Sequence, residues 1–133
     1  MLSPTCMPEE KIKVLVVEDD PMILDMYVHK FQQEGFVVVS HDRGDGVVEL
    51  VEQEKPNITL LDVIMPGLDG FAVLEALRKN PATKDVKVLM LTNLGQDEDK
   101  EKGLKLGAMG YIVKSSRTPG EVVKEVRTYL AKK

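Results

Sequence analysis

Asn57-Ile-Thr-Leu-Leu-Asp62, continued by Val63-Ile-Met-Pro-Gly-Leu-Asp-Gly70, decides how this 133-residue chain is read. The short apolar run is that of a buried strand, and it ends on a carboxylate where a loop punctuated by Pro66 and Gly67 begins. Asp is disfavoured in strands, and a buried carboxylate without a partner is costly, so Asp62 requires an explanation. Taken alone, it reads equally well as a strand-ending Asp that hydrogen-bonds loop amides. The rest of the chain decides between the two.

Outward from that stretch, strand and helix patterns alternate. Lys11 to Val17 reads as the first strand, and Glu18-Asp19-Asp20-Pro21 follows at once. Asp20 before Pro21 is a helix start, a capping carboxylate and then proline in the first helical position. That helix runs to about Glu34, stopped by Gly35, and buries Ile23, Met26, Tyr27 and Phe31. Phe36 to Val39 is the second strand, and Val47 to Glu54 a short helix with Val47, Val48, Leu50 and Val51 available for burial. Asp69-Gly70 opens a third helix, Phe71 to Lys79, on Phe71, Leu74 and Leu77, and Asn80-Pro81 breaks it. Val86 to Leu91 is the fourth strand, closing on Thr92-Asn93. Gln96 to Leu106 is charged and holds Gly103, so it forms at best a weakly amphipathic helix, expected to be the most mobile element. Gly110 to Val113 is the fifth strand, and a last helix from Pro119 or Gly120 to about Leu130 is apolar at Val122, Val123, Val126 and Leu130. Residues 1–10 read as a flexible leader and 11–131 as one domain.

Five near-continuous β-branched runs between helices predict a parallel sheet covered on both faces, an α/β doubly wound fold. The Rossmann fingerprint and the phosphate-binding P-loop are both missing: Gly44-Asp-Gly46 has no third glycine after it, and no Gly-Lys-Ser/Thr occurs. A composition of 43% hydrophobic and 30% charged residues is that of a globular chain and argues against disorder. The net charge of −4 gives no electrostatic case for nucleic acid or an anionic membrane. No apolar run approaches the ~20 residues of a membrane span, and the first residues lack the basic start and apolar centre of a signal peptide. With one cysteine, Cys6, and two histidines, His29 and His41, zinc clusters and Cys/His catalysis are nearly excluded, and a reducing cytoplasm is the simplest home. A metal site here must be built from oxygens.

In an open α/β sheet, ligands sit beyond the carboxyl ends of the strands. This sequence puts Glu18 and Asp19 after the first strand, Asp62 after the third, Thr92 after the fourth and Lys114 after the fifth. Three carboxylates converging on one edge repel one another, and a hard divalent cation resolves that repulsion. Mg2+ suits such a site, taking carboxylates, a carbonyl and waters while leaving positions for a phosphoryl oxygen. A threonine hydroxyl and a lysine ammonium opposite the metal complete a clamp on a phosphoryl group, with Asp62 as nucleophile of an in-line transfer. Each residue also has a plainer reading. Lys114 alone is a solvated strand-end lysine, Tyr111 alone a half-buried strand aromatic, and Asp20 a helix cap rather than a ligand.

Val16-Val-Glu-Asp-Asp20, Leu61-Asp-Val-Ile-Met-Pro-Gly-Leu-Asp-Gly70, Met90-Leu-Thr92 and Gly107-Ala-Met-Gly-Tyr-Ile-Val-Lys114 together resemble the receiver domain of two-component response regulators, of the stand-alone chemotaxis-regulator kind. The resemblance runs from about Lys11 to Leu130. It implies a flavodoxin-like sheet of order 2-1-3-4-5, with Asp62 as phosphoacceptor. It also implies Mg2+ held by Glu18, Asp19, Asp62 and the main-chain carbonyl of Ile64. Thr92 and Lys114 then bind the phosphoryl group. Tyr111 is the rotameric aromatic that, with Thr92, reports phosphorylation to the face made by the fourth helix, fifth strand and fifth helix. The implied donor is a histidine kinase or phosphotransfer protein, the downstream partner is an unspecified protein, and a phosphorylation-dependent dimer is compatible with the family. Such a domain is a signalling switch and not a turnover enzyme.

In one respect the sequence departs from the family: proline usually follows the strand 5 lysine in a cis peptide, and here Ser115 does. A non-proline cis bond costs about 2.5–4 kcal/mol, so a trans loop of different shape is expected, which leaves the aim of Lys114 an open question for the structure. By the same resemblance Ile64 and Leu94 would flank the site; both are apolar, which is expected to screen attacking water and slow loss of the phosphoryl group. Two other functions stay open. A Mg2+-dependent aspartyl-nucleophile phosphatase wants a second Asp two residues after the nucleophile, where Ile64 stands. A phosphorylation-independent interaction module is opposed by the complete acidic set with Thr92 and Lys114. The chain ends just after the last helix pattern, so it either signals through protein contacts alone or belongs to a longer protein.

Overall fold

The computed structural model of the chain describes residues 11–65, 68–92 and 97–131, so the leader, Leu94 and part of the Met65–Asp69 loop lie outside it. Five parallel strands form one sheet of order β2-β1-β3-β4-β5: β1 Lys13–Val17, β2 Val37–His41, β3 Ile58–Asp62, β4 Lys87–Thr92 and β5 Gly110–Val113. The helices are α1 Pro21–Gln33, α2 Val47–Glu54, α3 Gly70–Lys79, α4 Asp97–Lys105 and α5 Pro119–Ala131. Side chains alternate across the pleat, so each strand supplies two cores. Leu15, Val17, Leu61, Val88 and Met90 pack with Val47, Val51, Phe71, Leu74 and Leu77 beneath α2 and α3. Val14, Val16, Ile58, Leu60, Leu89 and Ile112 pack with Tyr27, Phe31, Val122 and Val126 beneath α1 and α5. Leu60 and Leu61, both wholly buried, contribute about 1.5–3 kcal/mol each to opposite layers.

Local chemistry sets the helix ends. Asp20 caps α1, accepting from the amides of Met22 and Ile23, and Pro21 follows it. Gly35 closes the helix at φ +93, as its sequence position suggests. Asp69 caps α3 by accepting from the Ala72 amide. The next residue has to be glycine, because a Cβ on Gly70 would lie 2.2 Å from the carbonyl oxygen of Asp62. Thr118 and Glu121 form a reciprocal capping box at α5, Thr118 N to Glu121 Oε1 at 2.8 Å and Glu121 N to Thr118 Oγ1 at 3.2 Å.

Two expectations need correction. Met26 is not in the core but 43% exposed, since α1 turns Tyr27 and Phe31 fully inward with Ile23 and Leu24 beside them. The second strand begins one residue later and runs to His41, because the Phe36 amide still bonds the Phe31 carbonyl at the end of α1. One long-range tie bears on α4. Arg78 in α3 donates from Nη1 to the Lys84 carbonyl at 2.9 Å and from Nη2 to the Gly107 carbonyl at 2.8 Å. Gly107 sits at φ +103, and a Cβ there would meet Arg78 Nε at 2.6 Å.

Candidate functional site

Parallel register brings the strand ends level. Val17 pairs with Leu61, Asp62 with Leu91, and Thr92 with Val113, so Glu18, Asp62, Thr92 and Lys114 emerge side by side on the carboxyl edge. There they line a cleft of about 290 Å³ together with Asp19, Asp20, Ile23 and Ile64. Larger concavities lie elsewhere, about 560 Å³ between α3 and α4 and about 460 Å³ along α1. The clustered carboxylates nonetheless lie in the smaller cleft. Among the described residues, Glu18, Asp19 and Asp62 alone bring three carboxylates together, with ligand oxygens all within 4.8 Å of one another.

Glu18 and Asp62 are buried, and Asp19 is exposed at the mouth. Lys114 ties the cleft together: its Nζ donates to Glu18 Oε1 and, at 3.1 Å, to Asp62 Oδ2. The other Glu18 oxygen, Oε2, accepts from the Asp20 amide at 3.1 Å. Burial pushes the Asp62 carboxyl up to about 7, with the Glu18 charge adding to the rise and Lys114 opposing it. Burial acts on Glu18 in the same direction, but Lys114 and the Asp20 amide outweigh it and hold Glu18 below its ordinary value. For Lys114, burial favours the neutral amine, yet Glu18 and Asp62 together raise it and keep it an ammonium. Asp19 is raised, first by burial and then by Glu18.

The segment after β5 answers the question raised by Ser115. Among the described residues there is no cis peptide, and Lys114–Ser116 form a 3-10 turn held by Ser116 Oγ to the Val113 carbonyl at 3.1 Å. This trans turn still delivers Lys114 into the carboxylates. Ile64 lines the cleft with its side chain 61% exposed.

Thr92 is buried at the end of β4, and Tyr111 is half-buried one strand away. Burial raises the Tyr111 phenol, Asp99 adds to the rise, and the Thr92 hydroxyl draws it back. The phenol oxygen is buried without a well-formed hydrogen bond among the described residues, so its link to Thr92 is proximity rather than a made bond. Sequence reasoning missed Ile23 as a wall of the cleft and treated Tyr27 as plain core. Tyr27 is buried, and although burial dominates its raised phenol, the charges of Lys114, Glu18 and Asp62 reach it. Its hydroxyl, at a position where an aliphatic side chain would serve the packing, was the available signal.

With fold and site in hand, kinship follows. A family profile described as "Response regulator receiver domain" matches residues 14–127. The regulatory protein VanRc of Enterococcus gallinarum is 41% identical over 118 residues, covering 89% of this chain and 49% of that protein. Among solved structures, the BeF3-activated N-terminal receiver domain of Klebsiella pneumoniae RstA superposes with a TM-score of 0.82 at 31% identity, covering 90% of this chain and 99% of that one. The CheX-CheY-BeF3-Mg+2 complex from Borrelia burgdorferi gives 0.83 at 26% identity, covering 91% and 90%. The chain belongs to the response regulator receiver domain family, the phosphoacceptor modules of two-component signalling. It spans about half the length of the curated relatives it matches.

Proposed function

We propose that this receiver domain, residues 11–131, takes a phosphoryl group onto Asp62 from a phosphohistidine on a histidine kinase or phosphotransfer protein. One observation carries the reading. Asp62 is the buried carboxylate at the centre of the cleft, with Glu18 and Asp19 within ligand distance of one another and of it, and with Lys114 on its Oδ2. The donor set is all hard oxygen, which fits Mg2+ held by Glu18, Asp19, Asp62 and the Ile64 carbonyl. When bound, Mg2+ would neutralise charge on the phosphoryl oxygens.

The chain's own residues divide the remaining work. An Asp62 oxygen attacks phosphorus as the P–N bond breaks, and the imidazole nitrogen keeps the electron pair and takes up a proton. Lys114 stays charged and pairs with the incoming phosphoryl oxygens, while Thr92 donates its hydroxyl to them. Movement of Thr92 then changes what Tyr111 can pack against, which alters the face of α4, β5 and α5 that meets an output protein or a second copy. No helix among the described residues is long and apolar enough to cross a membrane. The reading carries with it a cytoplasmic setting and a switch without turnover of its own.

The test is intact mass after incubation with Mg2+ and acetyl phosphate, beside an Asp62→Asn control. One labile phosphoryl adduct is expected in the native chain and none in the control. An adduct that persists in Asp62→Asn overturns the assignment.

A further inference from the structure

We propose that the outer edge of β2 docks a second copy of this chain, β2 against β2 antiparallel, so that the two sheets run on as one. This edge lies across the sheet from β5, away from the face of α4, β5 and α5, and its use does not depend on phosphorylation.

Among the described residues β2 has β1 as its one strand neighbour and ends the sheet on that side. The ladder fixes which backbone groups are left over. The Val37 amide donates to the Ile12 carbonyl at 2.9 Å, and the His41 carbonyl accepts from the Glu18 amide at 3.1 Å. In a parallel ladder one residue turns its N–H and C=O to a neighbour, and the next turns both away. Val37, Val39 and His41 therefore face β1, while Val38 and Ser40 present both groups outward. Native edges are ordinarily blunted by proline, lysine, a bulge or extreme shortness. The five residues Val-Val-Val-Ser-His have no proline and no lysine, and they run beside β1 in unbroken register. The opposite edge, β5, has four residues, starts on Gly110 and is followed at once by Lys114.

The occupant that fits is an identical strand. Set antiparallel about a two-fold axis at Val39, Val38 of each copy lies opposite Ser40 of the other. Opposed residues of this kind exchange both backbone bonds, so the pairing satisfies every outward group of Val38 and Ser40. The flanks agree in charge. Phe36 stands opposite Asp42 of the second copy, and Arg127 lies over the Phe36 ring at 5.0 Å. Gly35 stands opposite Arg43 of the second copy, next in sequence to the exposed Glu34. An acid thus arrives where this copy carries an arginine, and an arginine where it carries a glutamate. An unrelated extended peptide could fill the backbone groups but lacks this reciprocity.

A single strand edge is a small contact, so the dimer is expected to be weak, with a dissociation constant on the order of 0.1 mM. The experiment is sedimentation velocity on the native chain, Ser40→Lys, Ser40→Pro and Asp62→Asn, from about 10 µM to about 1 mM, a range that brackets that constant. Amide exchange is followed by NMR at both ends of the range. The native chain is expected to pass from monomer to dimer. Over the same range the Val38 and Ser40 amides should slow, while those of Val37, Val39 and His41 stay as they are. Ser40→Lys sets an ammonium on the edge, and Ser40→Pro removes an outward donor without touching the β1 ladder. Each is expected to weaken association roughly tenfold, since the symmetry repeats the loss in both copies. If Ser40→Pro folds poorly, Ser40→Lys carries the comparison alone. Asp62→Asn is expected to associate like the native chain, and loss of the dimer there overturns independence from the phosphorylation cleft. A chain that stays monomeric throughout overturns the proposal, as does a dimer that Ser40→Lys leaves intact. Slow exchange of Val38 and Ser40 at every concentration would put a segment of the same chain on the edge and overturns the second copy as its occupant.

Discussion

Helices α3 and α4 lie side by side on one face of the sheet and are built on opposite plans. Helix α3 starts on an Asp69 cap and buries Gly70, Phe71, Val73, Leu74 and Leu77. Helix α4 reads Asp-Glu-Asp-Lys-Glu-Lys-Gly-Leu-Lys, and among its described side chains from Glu98 onward the one buried position is Gly103. Gly103 rests on Met90, Phe71 and Tyr111, close enough that a Cβ would lie 3.3, 3.7 and 3.8 Å from them. Lys102 adds a cation over the Phe71 ring at 4.7 Å. The first helix is held by apolar burial along its length, the second by a glycine contact, a lysine and the Arg78 tie at its end. Apolar burial is divided unevenly between them, and the helix with less of it is the one whose glycine lies against Tyr111 of β5.

The largest way to break this contrast is truncation. Leu74→Ala in α3 is expected to cost about 2–5 kcal/mol by urea denaturation, and Leu104→Ala on the exposed side of α4 within about 0.5 kcal/mol. Similar losses would show that α4 is anchored after all. Next is Arg78→Ala, which removes two carbonyl bonds from a partly exposed guanidinium and is expected to cost about 1–2 kcal/mol. The sharper readout is hydrogen exchange, expected to accelerate around residues 104–108 and not within α3. Gly103→Ala should act in the other direction. Helix propensity favours alanine by roughly 0.5–1 kcal/mol, and Met90, a flexible side chain, need yield only a few tenths of an ångström. Slower exchange in α4 and a weaker spectroscopic response to phosphorylation are expected; faster exchange would mean the contact with Met90 and Tyr111 has no slack.

The smallest expected effect is one of pH. Asp62 titrates near 7 in the folded, metal-free chain, above its ordinary value of 3.8, because burial disfavours the charged form. The folded state therefore binds more protons than the unfolded one, and the contribution of Asp62 to stability is whole below about pH 4 and lost as pH rises through 7. Thermal melts without metal should fall between about pH 5 and 8, and Mg2+, which requires the carboxylate, should bind more tightly over the same range. The loss should register at the start of α3, where Gly70 lies on the Asp62 backbone, and leave exchange in α4 unchanged.

Much of this was legible in the sequence, for a geometric reason. Parallel strands send all their carboxyl ends to one edge, so Glu18, Asp62, Thr92 and Lys114 could be brought together without knowing a single contact. The capping roles of Asp20 and Asp69 were equally local. Long-range pairings were not legible. Nothing in periodicity says that Arg78 reaches Gly107, or that Lys114 bridges to Glu18 as well as to Asp62. Met26 was misplaced because adjacent helical residues differ by about 100° and Tyr27 took the inward place. The wholly buried Thr59, whose hydroxyl lacks a partner among the described residues, was likewise unremarkable in a β-branched run.

The Arg78 tie has a practical consequence for anyone building chimeras from this domain. Exchanging α4 for the helix of another receiver would appear to need only residues 97–105. Yet the carbonyl that closes the segment, at Gly107, is held from 29 positions upstream, and the glycine there leaves no room for a side chain beside the guanidinium. A graft that carries its own residue 107 must therefore bring a matching residue 78. The transferable unit is a pair of positions, one in α3 and one in the turn after α4, not a stretch of chain.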